Sequence, residues 1–298
     1  MKGIFVPDEV FLRYIMALFS NQATLTYNGN TTNSNVVYGE ILDALTVEKT
    51  AVEDSYVPDG LVTYAITFRN TGGALNGLTV TDDLGAYPFG TGTLVPLTYE
   101  NGSAILFVDG VQVAAPTVVA GPPLVFNGIN LPAGASAVLI YQARANEFAS
   151  PMADGVINNT VTVSGGGLTT PVVATESTPA RVLPLLSIFK SITPSQVLDN
   201  ETITYTFLIQ NNGNEPIIAT DDAIVTDIFN PILENLVVTY NGTVWTEGTE
   251  YTYDETTGLF STLPGALVIP AATYTQDAQT GAYVVAPGVV TLTVSGVV

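Results

Sequence analysis

Two of the three lysines in this chain, Lys49 and Lys190, lie on the apolar side of alternating, strand-like segments. In the first such region Leu45, Val47 and Lys49 share a parity, Leu78, Val80 and Asp82 share another, and Ile157, Asn159, Val161 and Val163 share a third. Period-two alternation sends one parity to one face of a sheet, so each of these polar residues is aimed at a core. Lysine almost never faces a core without a partner. Lys, Asp and Asn converging from three strands are what a spontaneous isopeptide bond requires. Desolvation lowers the Lys pKa so that the neutral amine can attack the Asn carboxamide, and it raises the Asp pKa so that the acid can polarise that carbonyl. The products are a Lys-Asn amide and ammonia. A buried Lys49-Asp82 ion pair with a hydrogen-bonded Asn159 is the competing reading, costly but satisfiable. The residue types leave both open.

The elements that must position this trio occur twice. VEKTAVEDSYVPDGLVTYAITFRNTG matches IFKSITPSQVLDNETITYTFLIQNNG at a constant offset of 141, pairing Lys49 with Lys190, Tyr64 with Tyr205, Asn70 with Asn211 and Gly72 with Gly213. After an insertion of four residues, LTVTDDL (78–84) matches AIVTDIF (223–229), pairing Asp82 with Asp227. One ancestral unit has been used twice. LPAGASAVLIYQAR (131–144) aligns with APGVVTLTVSGVV (286–298), Gly134 against Gly288. The first repeat then continues into a closing strand, INNTVTVSG (157–165), whereas the second ends. In a naive end-to-end alignment the position of the Asn falls on Val290. A match to the missing segment stands at the front of the chain: FSNQATLTYNG (19–29) aligns with INNTVTVSGGG (157–167), placing Phe19 on Ile157, Asn21 on Asn159, Ala23 on Val161 and Leu25 on Val163.

Alternation bounded by Gly, Pro, Asn and Asp recurs from Leu45 onward and predicts antiparallel sandwich strands. Helix is confined, if anywhere, to about residues 8–18. The expected layout is an N-terminal extension (1–18), a donor strand (19–29), a linker (30–44), domain 1 (45–166), a Gly/Thr/Pro-rich linker (167–183) that could hold a strand, and an incomplete domain 2 (184–298). The fold class is all-β, two immunoglobulin-like sandwiches with the second lacking its closing strand.

The motif K-T…V-T-Y-x-I-T-F-x-N-T-G…V-T-D-x-L, followed by a P-x-G-x-S strand and an N-x-V-T-V strand, resembles the bacterial surface repeat known as domain of unknown function 11. The resemblance covers about residues 45–166 and again 184–298. It implies an immunoglobulin-like sandwich of the kind found in surface, adhesive and fibre-forming bacterial proteins. The opening SNQATLTYNGNTTNSNVVYGEI is similar to that of clostridial-type members lacking a signal peptide. Trios such as Lys49, Asp82 and Asn159 resemble the cross-links of Gram-positive pilin and adhesin domains.

A sandwich missing a strand exposes apolar side chains and unpaired backbone groups, an edge that invites pairing. Donation of residues 19–27 of one copy, with Phe19, Asn21, Ala23, Leu25 and Tyr27 at the interface, would complete domain 2 of another. Asn21 would then meet Lys190 and Asp227, and the same chemistry would join two chains. Donor and acceptor lie at opposite ends of the chain, so the contact is heterologous and generates a head-to-tail filament. Self-closure is the alternative, because residues 28–44 can extend about 55 Å. A truncated C-terminus would also account for the missing strand. A monomeric adhesin or stalk binding a carbohydrate or host ligand is the competing functional class.

Composition narrows the field. A formal charge of -20, with seven basic residues against 27 acidic ones, opposes binding to a phosphate backbone. The chain has no His and no Cys, which removes disulfides, the thiol nucleophile and the usual general base. No cofactor or metal is called for, and apart from self-catalysed cross-linking no enzyme. Asp82-Asp83 and Asp221-Asp222 lack the alternating carboxylate spacing of a calcium loop. No acid and nucleophile are placed as a glycosidase needs, and Trp245 reads as a core or interface residue. No apolar run reaches the roughly 20 residues of a membrane span. Asp8, Glu9 and Arg13 break the signal-peptide pattern in MKGIFVPDEVFLRYIMALFS, so export by the usual route is not supported, and the expected location is an extracellular appendage or a spore surface decorated from within a mother cell. Phe11, Ile15, Leu18 and Phe19 allow an amphipathic helix or a second donated segment.

Overall fold

The computed structural model describes residues 15–42 and 44–298; within them the chain is all-β, with one short 3-10 turn at Ala219–Asp221. It begins with β1 (Ile15–Asn21), β2 (Thr24–Tyr27), β3 (Asn30–Asn33) and β4 (Val37–Leu42). β1 pairs with β4 and β2 with β3, both antiparallel, so these strands form one long hairpin. Its tip is Asn28-Gly29, both left-handed (φ 48° and 78°), the geometry that an Asn-Gly two-residue hairpin turn demands. Where the strands pause, Ser34 ties them: its N–H donates to the Ala23 carbonyl at 2.8 Å and its Oγ accepts from the Ala23 N–H at 2.9 Å. Phe19 lies opposite Gly39, and a Cβ at Gly39 would come within 2.3 Å of its ring. Residues 30–44, expected as a linker, therefore carry the return strands. The helix expected at about 8–18, or the second donated segment expected within 1–18, falls mainly outside the described residues, and its last part, from Ile15, is strand.

Domain 1 contains β5 (Leu45–Ala51), β6 (Leu61–Asn70), β7 (Leu75–Asp82), β8 (Ile105–Val108), β9 (Leu124–Leu131), β10 (Ser136–Ala145), β11 (Val156–Gly165) and β12 (Val172–Pro179). One sheet runs β8-β10-β6-β5, with Val111–Val113 outside β8; the other runs β9-β7-β11-β12, with Thr117–Val119 outside β9. The inward parities of both sheets fill one core, including Tyr64, Phe68, Phe126, Leu139 and Tyr141. The segment 167–183, read as a linker, contributes β12, which extends domain 1 beyond its expected end. It is the strand that the linker could hold, and its inward positions, Val172, Ala174, Glu176 and Thr178, do not form an apolar stripe.

Domain 2 contains β13 (Leu186–Thr193), β14 (Thr202–Asn211), β15 (Thr226–Ile228), β16 (Glu234–Tyr240), β17 (Tyr251–Asp254), β18 (Leu259–Thr262) and β19 (Gly288–Val297). Its first sheet, β13-β14-β19-β16, repeats that of domain 1. Its second is β15-β18-β17 and stops there: among the described residues nothing pairs with the free edge of β15. The vacancy is wider than one closing strand, since beyond β7 domain 1 holds both β11 and β12. Strand pairing also corrects the alignment by one residue. Asn211 faces Gly288, and Arg69 faces Ser136, so Gly288 matches Ala135 instead of Gly134.

The repeated Asn-x-Gly motif builds the corner where each domain begins. The side chains of Asn70 and Asn211 accept from the N–H of Gly72 and Gly213 respectively. A Cβ on Gly72 would lie 2.6 Å from Ala44 Cβ, and one on Gly213 would lie 2.2 Å from the Leu183 carbonyl oxygen. Both glycines admit the incoming chain. Among the described residues no helix is long and apolar enough to cross a membrane.

Candidate functional site

β5, β7 and β11 bring Lys49, Asp82 and Asn159 together in the core of domain 1, where all three are buried. Lys49 Nζ donates to Asp82 Oδ2 at 2.7 Å. The Tyr141 hydroxyl on β10 makes a short hydrogen bond to the same oxygen and accepts from Asn159 Nδ2 at 3.2 Å. Asp82 Oδ1 accepts the Leu84 N–H at 2.8 Å. The carbonyl oxygen Asn159 Oδ1 is buried with no hydrogen-bond partner among the described residues. Leaving such an atom unpaired costs free energy on the order of 1–3 kcal/mol, and it leaves the carbonyl open to polarisation.

Burial lowers the Lys49 pKa from its ordinary value, although the neighbouring Asp82 carboxylate pulls the other way. The lysine also lies over aromatic faces, 4.8 Å from the Tyr64 centroid and 5.8 Å from that of Tyr141. Burial raises the Tyr64 pKa to about 12 and that of Tyr141 well above its usual value, so both phenols stay protonated. Tyr141 is the residue that sequence reasoning missed. Its signal was present, an inward Tyr directly across from Tyr64, but only the register between β6 and β10 reveals it.

Domain 2 holds half of the same site. Lys190 and Asp227 make a short hydrogen bond across β13 and β15. Their side chains are 41 % and 19 % exposed, where those of Lys49 and Asp82 are 0 %. Lys190 Nζ lies 4.4 Å from the Tyr205 centroid and 5.4 Å from that of Phe229. Tyr205 matches Tyr64, but the residue across from it is Val294, so the counterpart of Tyr141 has no hydroxyl. Val290 lies on β19, the equivalent of β10, and thus in no position to replace Asn159.

Asn21 sits on the N-terminal hairpin, and this structure does not bring it to Lys190. Phe19, Asn21, Ala23, Leu25 and Tyr27 are all solvent-exposed there. The acidic pairs serve the backbone: Asp83 Oδ1 accepts from the N–H of Gly85 and Thr160, and Asp221 accepts from that of Ile218. Trp245 stacks on Tyr240 at 4.8 Å beside the domain 2 core.

The fold and its trio define an all-β protein of two immunoglobulin-like sandwiches, the second open along one edge. No family model and no curated protein matches the chain. Among solved structures it is similar to BcpA, the major pilin subunit of Bacillus cereus, with 12 % identity, a TM-score of 0.35, and coverage of 91 % of this chain and 73 % of that one. It is also similar to the major pilin SpaD of Corynebacterium diphtheriae, with 12 % identity, a TM-score of 0.33, and coverage of 82 % and 59 %. The pilus backbone RrgB of Streptococcus pneumoniae matches with 11 % identity and a TM-score of 0.32; 82 % of this chain spans 55 % of that one. At these values the likeness carries no functional argument, which rests instead on the open edge and the buried trio.

Proposed function

We propose that this chain is the structural subunit of an extracellular or spore-surface fibre, assembled by insertion of residues 19–27 of one copy beside β15 of the next. The observation that carries this reading is the free edge of β15, together with a sequence match between residues 19–29 and the strand that fills the same edge in domain 1. In domain 1, Val161 lies opposite Asp82. Transferred to domain 2, this register sets Ala23 opposite Asp227 and brings Asn21 to Lys190.

Isopeptide chemistry then locks both domains. The unprotonated Lys Nζ attacks the Asn Cγ; the new C–N bond forms, the Cγ–Nδ2 bond breaks, and ammonia leaves with the proton that Asp relays. Lys49 and Asn159 react within a chain, Lys190 and Asn21 between chains. Fibres should run as a ladder in denaturing electrophoresis, each junction lighter by one ammonia. The ladder should vanish in Asn21→Ala; its persistence in Lys190→Ala would refute the assigned bond. Donation itself is read by Thr24→Cys with Thr226→Cys, a cross-strand pair in the transferred register, in a chain that otherwise has no Cys. Failure to form an inter-subunit disulfide in assembled material sinks strand insertion.

A further inference from the structure

Resting on that reading, we propose that the element passed between subunits is the whole hairpin Ile15–Leu42, and that the junction between subunits copies the junction between the two domains within one chain.

Three observations lead there. Domain 2 lacks counterparts of two adjacent strands, β11 and β12, and the N-terminus supplies two adjacent antiparallel strands. The hairpins have matching dimensions: sixteen residues separate the paired Asn159 and Glu176, and fifteen separate the paired Asn21 and Val37. The third observation is what a single strand leaves uncovered. In domain 1 the inward side of β12 faces β5; Thr178 Oγ1 lies 3.4 Å from the Tyr64 hydroxyl, and the Glu176 charge acts on Lys49. On β13, the counterpart of β5, Leu186, Ile188 and Ile192 are exposed on the face of Lys190. By register Val37 takes the place of Glu176 and Gly39 that of Thr178, so β4 closes over β13 and removes Lys190 from water. An amine must be desolvated to lose its proton near neutral pH, and the hairpin supplies that desolvation.

The connections agree. β12 runs through a short segment into β13, the first strand of domain 2; β4 runs through residues 43 and 44 into β5, the first strand of domain 1. A hairpin strand that completes one sandwich thus leads directly into the next, in both places. This also decides between self-closure and polymerisation. Domain 2 continues from the end of domain 1 where Tyr56 bridges Ala180, whereas the hairpin enters at the opposite end, where Ala44 meets Gly72. Two linking residues can reach at most about 10 Å, and the ten-residue strands between those ends extend roughly 33 Å. A hairpin used through Leu42 cannot return to its own domain 2, so it must enter another copy.

The test places a photo-reactive benzoylphenylalanine at Val37, and in a second chain at Thr32, each in the full-length Thr24→Cys, Thr226→Cys background. In assembled fibres the expected cross-link joins the probe to peptide 186–193 of another copy, and amides of Leu186–Thr193 exchange at least tenfold more slowly than in unassembled chains. A disulfide between copies, with both probes missing 186–193 and no slowing of exchange, overturns hairpin transfer while leaving strand insertion standing. Absence of the disulfide in both probe chains and in the background without a probe overturns strand insertion and hairpin transfer together.

Discussion

Lys49 and Lys190 occupy the same place in the same repeat, beside equivalent aspartates, yet one pair is sealed in a core and the other is open to water. β11 and β12 make the difference. In domain 1 they cover the trio and contribute Asn159, while Tyr141 and Leu84 each add a hydrogen bond to Asp82. Domain 2 has the amine and the carboxylate but neither the covering strands nor the carboxamide. The buried geometry belongs to a completed sandwich, so in the proposed fibre chemistry at the second site would be conditional on assembly. In the proposed assembly, a site sealed from the start would cross-link its own chain, and a site that waits for a neighbour would cross-link the polymer.

The largest expected break in this comparison is Asp82→Ala. It strands a buried lysine, so domain 1 should lose roughly 3–5 kcal/mol, whereas Asp227→Ala in unassembled chains should cost less than about 1 kcal/mol because water screens that pair. Hydrogen exchange read separately on the two domains measures both, and equal losses would contradict the contrast. Next comes Tyr141→Phe, which leaves Asp82 and Asn159 each short of a partner. A loss of about 1–3 kcal/mol is expected in domain 1, with slower formation of the Lys49-Asn159 bond by intact mass; an unchanged rate would remove Tyr141 from the site.

A smaller effect is predicted for pH, in an Asn159→Ala background where Lys49 cannot be consumed. The Lys49 pKa is lowered by folding, so the unfolded chain binds the proton more tightly. Stability from this group therefore rises with pH between the lowered value and the unfolded value of 10.5, and falls as the solution is acidified through that window. Tyr64 has the opposite sign, since its folded pKa is raised to about 12; its contribution is full below pH 10 and is lost above it. Urea titrations stepped upward to pH 10 should show a rising limb that ends near the unfolded value of 10.5, and Lys49→Met should abolish it while sparing the decline above pH 10. The smallest change expected is for Lys190→Met in unassembled chains: domain 2 stability within about 0.5 kcal/mol of the parent, but no inter-subunit ladder on assembly.

Much of this was legible in the residues because it is local. Parity along a strand identified Lys49, Asp82 and Asn159 as inward, and a constant offset exposed the repeat and the orphan match at 19–29. Tyr141 was not legible, because its partner lies 77 residues earlier on β6, and only the register of the two strands puts them side by side. β12, in a segment read as a linker that could hold a strand, carries small or polar residues such as Ala174 and Thr178 at its inward positions. Burial on such strands comes from the neighbours they pair with and leaves little hydrophobic pattern.

The sequence by itself determined the all-β class, the duplication, the placement of Lys and Asp toward a core, and the match of residues 19–29 to the strand at 157–167. These follow from side-chain alternation and spacing, which each segment carries whatever surrounds it. Only the tertiary structure decided that two strands are wanting, that the N-terminal segment is already a hairpin of matching size, and that Lys190 remains wet while Lys49 is dry. Sheet order, register and solvent exposure are set by which strands lie beside one another, and no single strand encodes its neighbour.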